Sequence, residues 1–365
     1  MFFEKDKIVQ RAEEALATKP ESITMAVAPL SEGTPHDYFS QGNYWWPNPD
    51  TPDGLPYIRK DGQSYPHSFE PHRLMTRRVR TRVARLAAGY QINKNPEYAA
   101  HAAKLLKTFF LDAETRMNPN LLYGQAIPGI CSGRGIGIID TLSLVEVPVA
   151  VRVLANVPSF PDDVTQGVIA WFADYLHWMR THPYGVDEMN TTNNHSVCWF
   201  LQAAVFARFT DDEETLRFCR DAYRNRLLRE QMALDGSFPR ELERTKPYAY
   251  SIFVLDNLLT LCHVLSEDGE NEWRYKLPDG RGAARAMDYL LPFLEDKSKW
   301  PYAPDVQDFE DWPVAMAGFL FGGLALDRPR YIALWQILDP DPVNMEIRRN
   351  MAIREPSLWL PPNHL

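Results

Sequence analysis

Two short segments hold the residue types that move a proton beside a carboxylate. The first, TTNNHSVCWF at 191–200, places Asn193, Asn194 and His195 where a helix should begin. An Asn N-cap accounts for one asparagine. It does not account for two asparagines followed by a His that enters an apolar helix, although a lone His is commonly a satisfied structural residue. The second, DGSFPRELERTKPYAYSIFVLDNL at 235–258, opens on a turn and then crowds Arg240, Glu241, Glu243, Arg244, Tyr248 and Tyr250 at the start of a helix. Its plain reading is a salt-bridged, solvated stretch with two inward tyrosines. Together the segments match the needs of β-elimination at a 4-linked uronate. The C5 proton is weakly acidic beside an ionised carboxylate, so Asn or Arg donors must neutralise that carboxylate and stabilise an enolate-like transition state. A base, His or an ionised Tyr, takes the proton. An acid, for which Tyr is suited, protonates the leaving O4.

Several segments in the same order resemble the alginate lyase superfamily, including polysaccharide lyase families five and thirty-eight. They are YWWPNPD (44–50), GQAIPGICSGRGIGIIDT (124–141), NNH entering a helix, and DGSFPRELERTKPYAYSIF some forty residues later. The resemblance runs from about residue 40 to beyond 325. It implies an incomplete α/α toroid and a metal-independent, cofactor-free lyase. Carried over residue by residue, it implies that Asn194 neutralises the carboxylate, His195 is the catalytic histidine, Arg244 the arginine of the ELxR pattern, and Tyr250 the catalytic tyrosine. The Arg244–Tyr250 interval is about a residue shorter than in family five, which leaves Tyr248 in contention. It also implies a β-1,4-linked polyuronate substrate, with polymannuronate or glucuronan foremost.

Positioning these residues requires a largely helical chain. Apolar residues at three- and four-residue spacing predict helices near 3–18, 72–92, 97–115, 140–155, 162–181, 193–210, 212–229, 248–266, 281–296, 312–325 and 328–338. Pro, Gly and Asp clusters separate them. Strand-like alternation is scarce. Serial helix hairpins over 365 residues point to an all-α fold, one domain over 1–365, whose inner helices line a groove. Three stretches break the rhythm: 40–71, 121–139 and 298–311. The first is a long Pro/Gly-rich loop read as a lid. Its Trp45, Trp46, Tyr57 and Arg59, with Tyr123, Gln125 and Arg134 from the second stretch and Asn193 and Tyr248, are the candidate sugar contacts. Arg134 reads equally well as a structural ion-pair partner. The six arginines of HRLMTRRVRTRVAR (72–85) read as a solvated or ion-paired face.

Composition narrows the alternatives. Aromatics make up 12% of the chain, with 10 Trp and 16 Tyr, which suits packing on pyranose C–H faces, though most such rings belong to cores. The net charge of −9 argues against a nucleic-acid binder but not against a locally basic groove for an acidic polysaccharide or oligosaccharide. The glycines of GRGIGIID lack a preceding strand and a GKS/T, so no phosphate loop is expected. No HEXXH or other metal-ligand spacing is present, and no G-x-S-x-G elbow. Cys131, Cys198, Cys219 and Cys262 form no CxxC and read as free thiols. No apolar run approaches the length and composition of a membrane span, and no signal-peptide pattern is visible. A cytoplasmic enzyme is therefore expected, or an exported one if a leader precedes the chain. Nothing in the sequence sets an oligomeric state. Two other classes stay open: a toroidal glycoside hydrolase, with Asp187, Glu188, Asp305 and Glu310 to supply its two acids, and a glycan-binding protein without catalysis.

Overall fold

The computed structural model describes residues 2–267, 269–361 and 364. The chain divides into two compact units. The first comprises Met1–Arg59, Ser64–Val186 and Ile353–Leu365, the second Lys60–Gln63 and Asp187–Ala352.

In the first unit the helix Lys5–Leu16 packs on Pro71–Asn93, which in turn packs on Pro96–Leu106 and Glu146–Leu154. The approach is close because Gly89 has no side chain; a Cβ there would lie 2.3 Å from the Ala12 methyl carbon. The arginine run lies on Pro71–Asn93 and is ion-paired, as expected. Arg80 meets Glu146 at 2.8 Å, Arg82 meets Glu21 at 2.7 Å and Arg73 meets Asp140 at 3.1 Å. The strand Phe39–Gln41 pairs in parallel with Tyr123–Ala126, and Trp45–Trp46 pairs antiparallel with Ile58–Arg59. The 40–71 stretch is thus not structureless. It is ordered by that hairpin and by a ring cluster in which Tyr65 meets Trp46, Tyr57 and His67 at centroid distances of 5.1, 6.2 and 5.6 Å.

In the second unit two helices are apolar all round and central, as such helices must be. Asn194–Phe209 is buried along nearly its whole length and packs on Pro247–Leu265. Pro247–Leu265 packs also on Ala317–Ala325, where Gly318 permits the approach: a Cβ would meet the Asp256 carbonyl oxygen at 2.7 Å. One expectation is corrected here. Pro247–Leu265 is long and apolar enough to cross a membrane by length and composition, and 89% of its apolar stretch is buried. It is a core helix, which passes the same test as a span. The acidic, aromatic stretch 298–311 is structural. Trp300 packs on Tyr248 and Phe293, and Asp305 accepts the backbone N–H groups of Tyr248 and Ala249 at 2.9 Å each.

Candidate functional site

The second unit brings together Asn193, Asn194, His195, Arg244 and Tyr250. Asn193 is the N-cap of Asn194–Phe209, and its side chain accepts the His195 N–H. Asn194 opens the helix and is buried. It donates its backbone N–H to one oxygen of Glu241 at 2.7 Å and its Nδ2 to the other at 2.8 Å. This clamp fixes the amide rotamer, with the second Nδ2 hydrogen left to donate elsewhere. Glu241 is buried on the short helix Pro239–Leu242. Burial pushes its carboxyl up, against the two Asn194 bonds and the charges of Arg244 and His195, which pull it down. His195, only 16% exposed, places Nδ1 2.6 Å from Oε1 of Glu188, itself 1% exposed.

Arg244 follows one turn after Glu241. Its Nη2 donates to the Tyr250 hydroxyl at 3.2 Å, and its guanidinium carbon lies 4.4 Å from the Tyr250 ring centroid. Nε and Nη2 also donate to the two oxygens of Asp61, at 3.1 and 2.9 Å. Burial works against the Arg244 charge, but the Tyr250 oxygen and Asp61 outweigh it and hold its pKa above the ordinary arginine value. Asp61 reaches Arg244 from the turn Lys60–Gln63, where Gly62 has φ +72° and stands against Thr245. The Thr245 hydroxyl donates to Asp61 at 3.0 Å.

Tyr248 lies apart from this cluster's hydrogen bonds. It is fully buried and donates its hydroxyl to the Phe293 carbonyl at 2.8 Å. Burial raises its pKa, with Asp305 adding to the rise. The Tyr248 hydroxyl is thus engaged in the core, whereas the Tyr250 hydroxyl accepts from Arg244.

The remaining candidates lie in the first unit. Arg134 donates to the carbonyl and side-chain oxygens of Gln125 at 2.9 and 3.2 Å and lies 5.9 Å from the Trp45 ring. Gln125, at φ 51°, also donates to buried Asp140 at 3.2 Å. Trp46 and Tyr57 belong to the Tyr65 ring cluster. Arg59 is exposed opposite Trp45, and the Tyr123 ring lies against Gly33.

Three carboxylates of the site went unrecognised as its members in the sequence. In the sequence Glu188 reads as a hydrolytic acid and Glu241 as one charge in a crowd, and Asp61 carries no signal beyond its Asp-Gly turn. Three of the four acids weighed for hydrolysis have other partners. Glu188 holds His195, Asp305 caps a helix, and Glu310 pairs with Lys297 at 2.9 Å. Among the described residues no group of three or more His, Cys, Asp or Glu is placed to hold a metal ion. All four cysteines are free thiols.

The sequence profile of the Alginate lyase family matches residues 22–300. Among solved structures, an alginate lyase from Bacteroides ovatus is 31% identical, with a TM-score of 0.83 over 96% of this chain and 92% of its own. Alginate lyase A1-III from Sphingomonas species A1 is 16% identical, with a TM-score of 0.56 over 87% and 83% of the two chains. A histidine-to-alanine variant of A1-III complexed with tetrasaccharide is 15% identical over the same shares, also at 0.56. None of the curated proteins matches the chain. The structural likeness shows the fold, the all-α, α/α-toroid class expected from the sequence. With a profile match over most of its length and a 31% identical alginate lyase structure covering 96% of it, the chain belongs to the alginate lyase family and is a polysaccharide lyase acting on acidic polysaccharide.

Proposed function

We propose that the chain cleaves a β-1,4-linked polyuronate, polymannuronate or glucuronan, leaving a C4–C5-unsaturated uronate at the new non-reducing end. The observation that carries the reading is the Arg244 guanidinium on the Tyr250 hydroxyl, in one unit with the Glu241-clamped Asn194 and with His195. Asn194 Nδ2 and Arg244 donate to the uronate carboxylate, so that charge spreading from C5 is met by fixed donors. The C5–H bond breaks, its electrons form the C4–C5 double bond, and the C4–O4 bond breaks. Tyr250 gives its proton to O4. As a phenolate it also takes the C5 proton where that hydrogen and O4 share a face, as in mannuronate and glucuronate. His195 is the base for the opposite geometry, or keeps Tyr250 ionised.

The test is ultraviolet absorbance of the unsaturated product from purified protein offered alginate blocks, glucuronan, pectate, hyaluronan and heparinoids. Product from polymannuronate or glucuronan is expected. Activity confined to pectate or sulfated glycosaminoglycans overturns the substrate, and absence of product from every polyuronate overturns the reading. Tyr250→Phe should lower kcat about 1,000-fold or more with KM within a few-fold, because the ring and its packing stay.

A further inference from the structure

Glu188 has no part in the reading above, yet its surroundings are unusual for a buried acid. It lies on the short helix Pro183–Met189, and its carbonyl accepts both the backbone N–H and the hydroxyl of Thr191, at 3.3 and 2.9 Å. The backbone is thus tied to the turn that leads into Asn193. The side chain is 1% exposed and meets His195 Nδ1 at 2.6 Å, while its other oxygen, Oε2, is buried with no hydrogen-bond partner among the described residues. A carboxylate kept dry with one oxygen unsatisfied is costly to folding. Packing alone would be served as well by a neutral side chain of the same shape. The cost is accounted for if the carboxylate acts on the imidazole.

His195 is the second residue of Asn194–Phe209. The carboxylate on Nδ1 selects the tautomer, because a carboxylate accepts only, so Nδ1 must donate and Nε2 carries the lone pair.

Resting on the proposed elimination chemistry, we propose that Glu188 is the positioning residue of the reaction, holding His195 as the Nδ1–H tautomer so that Nε2 receives the proton. The transfer balances within the site. A proton leaves C5 or the Tyr250 hydroxyl with its bonding electrons left behind, Nε2 becomes N–H, and the imidazolium formed keeps its Nδ1–H on Glu188 until Nε2 returns the proton to solvent. Glu188 touches no substrate atom in this scheme.

The test combines nitrogen NMR with kinetics on the full chain. In 15N-histidine-labelled protein, at a pH where the ring is neutral, the His195 signals, assigned by comparison with His195→Gln, should show Nδ1 protonated and Nε2 bare. Glu188→Leu, close in volume and unable to accept, should lose that tautomer preference and lower kcat by about 100-fold with KM within about twofold, the loss expected of a residue that orients a base. Glu188→Gln retains an acceptor oxygen and no charge, and should fall between, near a tenfold loss; it keeps the test open if the Leu variant does not fold. A wild-type ring protonated at Nε2, or a folded Glu188 variant with wild-type kcat, overturns the assignment. Failure of the wild-type protein to form unsaturated product overturns the proposed function instead, and the tautomer measurement still decides the role of Glu188.

Discussion

Asp256 lies in Pro247–Leu265, the helix whose first turn carries Tyr250, and it is buried where that helix meets Ala317–Ala325. Its Oδ1 accepts the Gly318 N–H at 2.7 Å. Burial pushes the carboxyl from 3.8 up to about 7, against that single hydrogen bond. Because the folded value lies above the unfolded one, the group's contribution to stability is fully present below pH 3.8 and is lost as the pH rises through about 7. At about 1.4 kcal/mol per tenfold, the loss is roughly 1.5–2 kcal/mol at pH 5 and about 4 kcal/mol at pH 8.5. Asp256→Asn keeps the acceptor for Gly318 and removes the titration. Its amide hydrogens still have to be placed in the core, at a pH-independent cost of about 1–3 kcal/mol. The variant's stability relative to wild type should therefore rise by about 2–3 kcal/mol between pH 5 and pH 8.5. Urea unfolding of both proteins at the two pH values measures this, since every other titrating group cancels in the comparison. Parallel stability curves for the two proteins would refute the reasoning.

Three further outcomes follow from the site's hydrogen bonds. Glu241→Ala leaves two buried donors of Asn194 without partners and should cost about 2–4 kcal/mol in urea unfolding. Glu241→Gln, which keeps one acceptor, should cost less; equal losses would show that the clamp is not the source of the stability. Asp61→Asn removes a charge from the half-buried Arg244 pair, whose contacts are 2.9 and 3.1 Å. Arg244 should then hold an anionic substrate more tightly, with KM falling about fivefold, equivalent to about 1 kcal/mol; an unchanged or raised KM would show that Asp61 does not compete with substrate.

The helices were legible because their apolar spacing is local. The expected 162–181 is Asp162–Thr181 and the expected 248–266 is Pro247–Leu265. Missed elements have physical reasons. Strands of two to four residues, such as Trp45–Trp46 and Tyr123–Ala126, are too short to show alternation, and Phe39–Gln41 finds its parallel partner far along the chain. Lys107–Leu111 and Tyr223–Leu227 continue helices in π geometry, which keeps the apolar pattern and leaves no separate mark on it.

The site was legible in half. Asn194, His195, Arg244 and Tyr250 could be named because their segments resemble those of the alginate lyase family; Asn194, His195 and Tyr250 lie in first turns of helices, and Arg244 in the bend between Pro239–Leu242 and Pro247–Leu265. Their carboxylate partners could not, because Asp and Glu are common on surfaces and only tertiary burial gives these their roles. Those partners alter the electrostatic account. Glu188, Glu241 and Asp61 set three acids against one guanidinium, so the cluster does not attract a uronate by net charge. What it offers is a set of directed donors: Asn194 Nδ2 held by Glu241, and Arg244 held by Asp61 and aimed at Tyr250. In the elimination proposed above, donors fixed in this way would favour the charge that develops as C5 loses its proton more than the charge already on the bound carboxylate. That is the difference between transition state and ground state on which catalysis depends. A site built of unpaired lysines and arginines would bind polyuronate more tightly and gain less in rate.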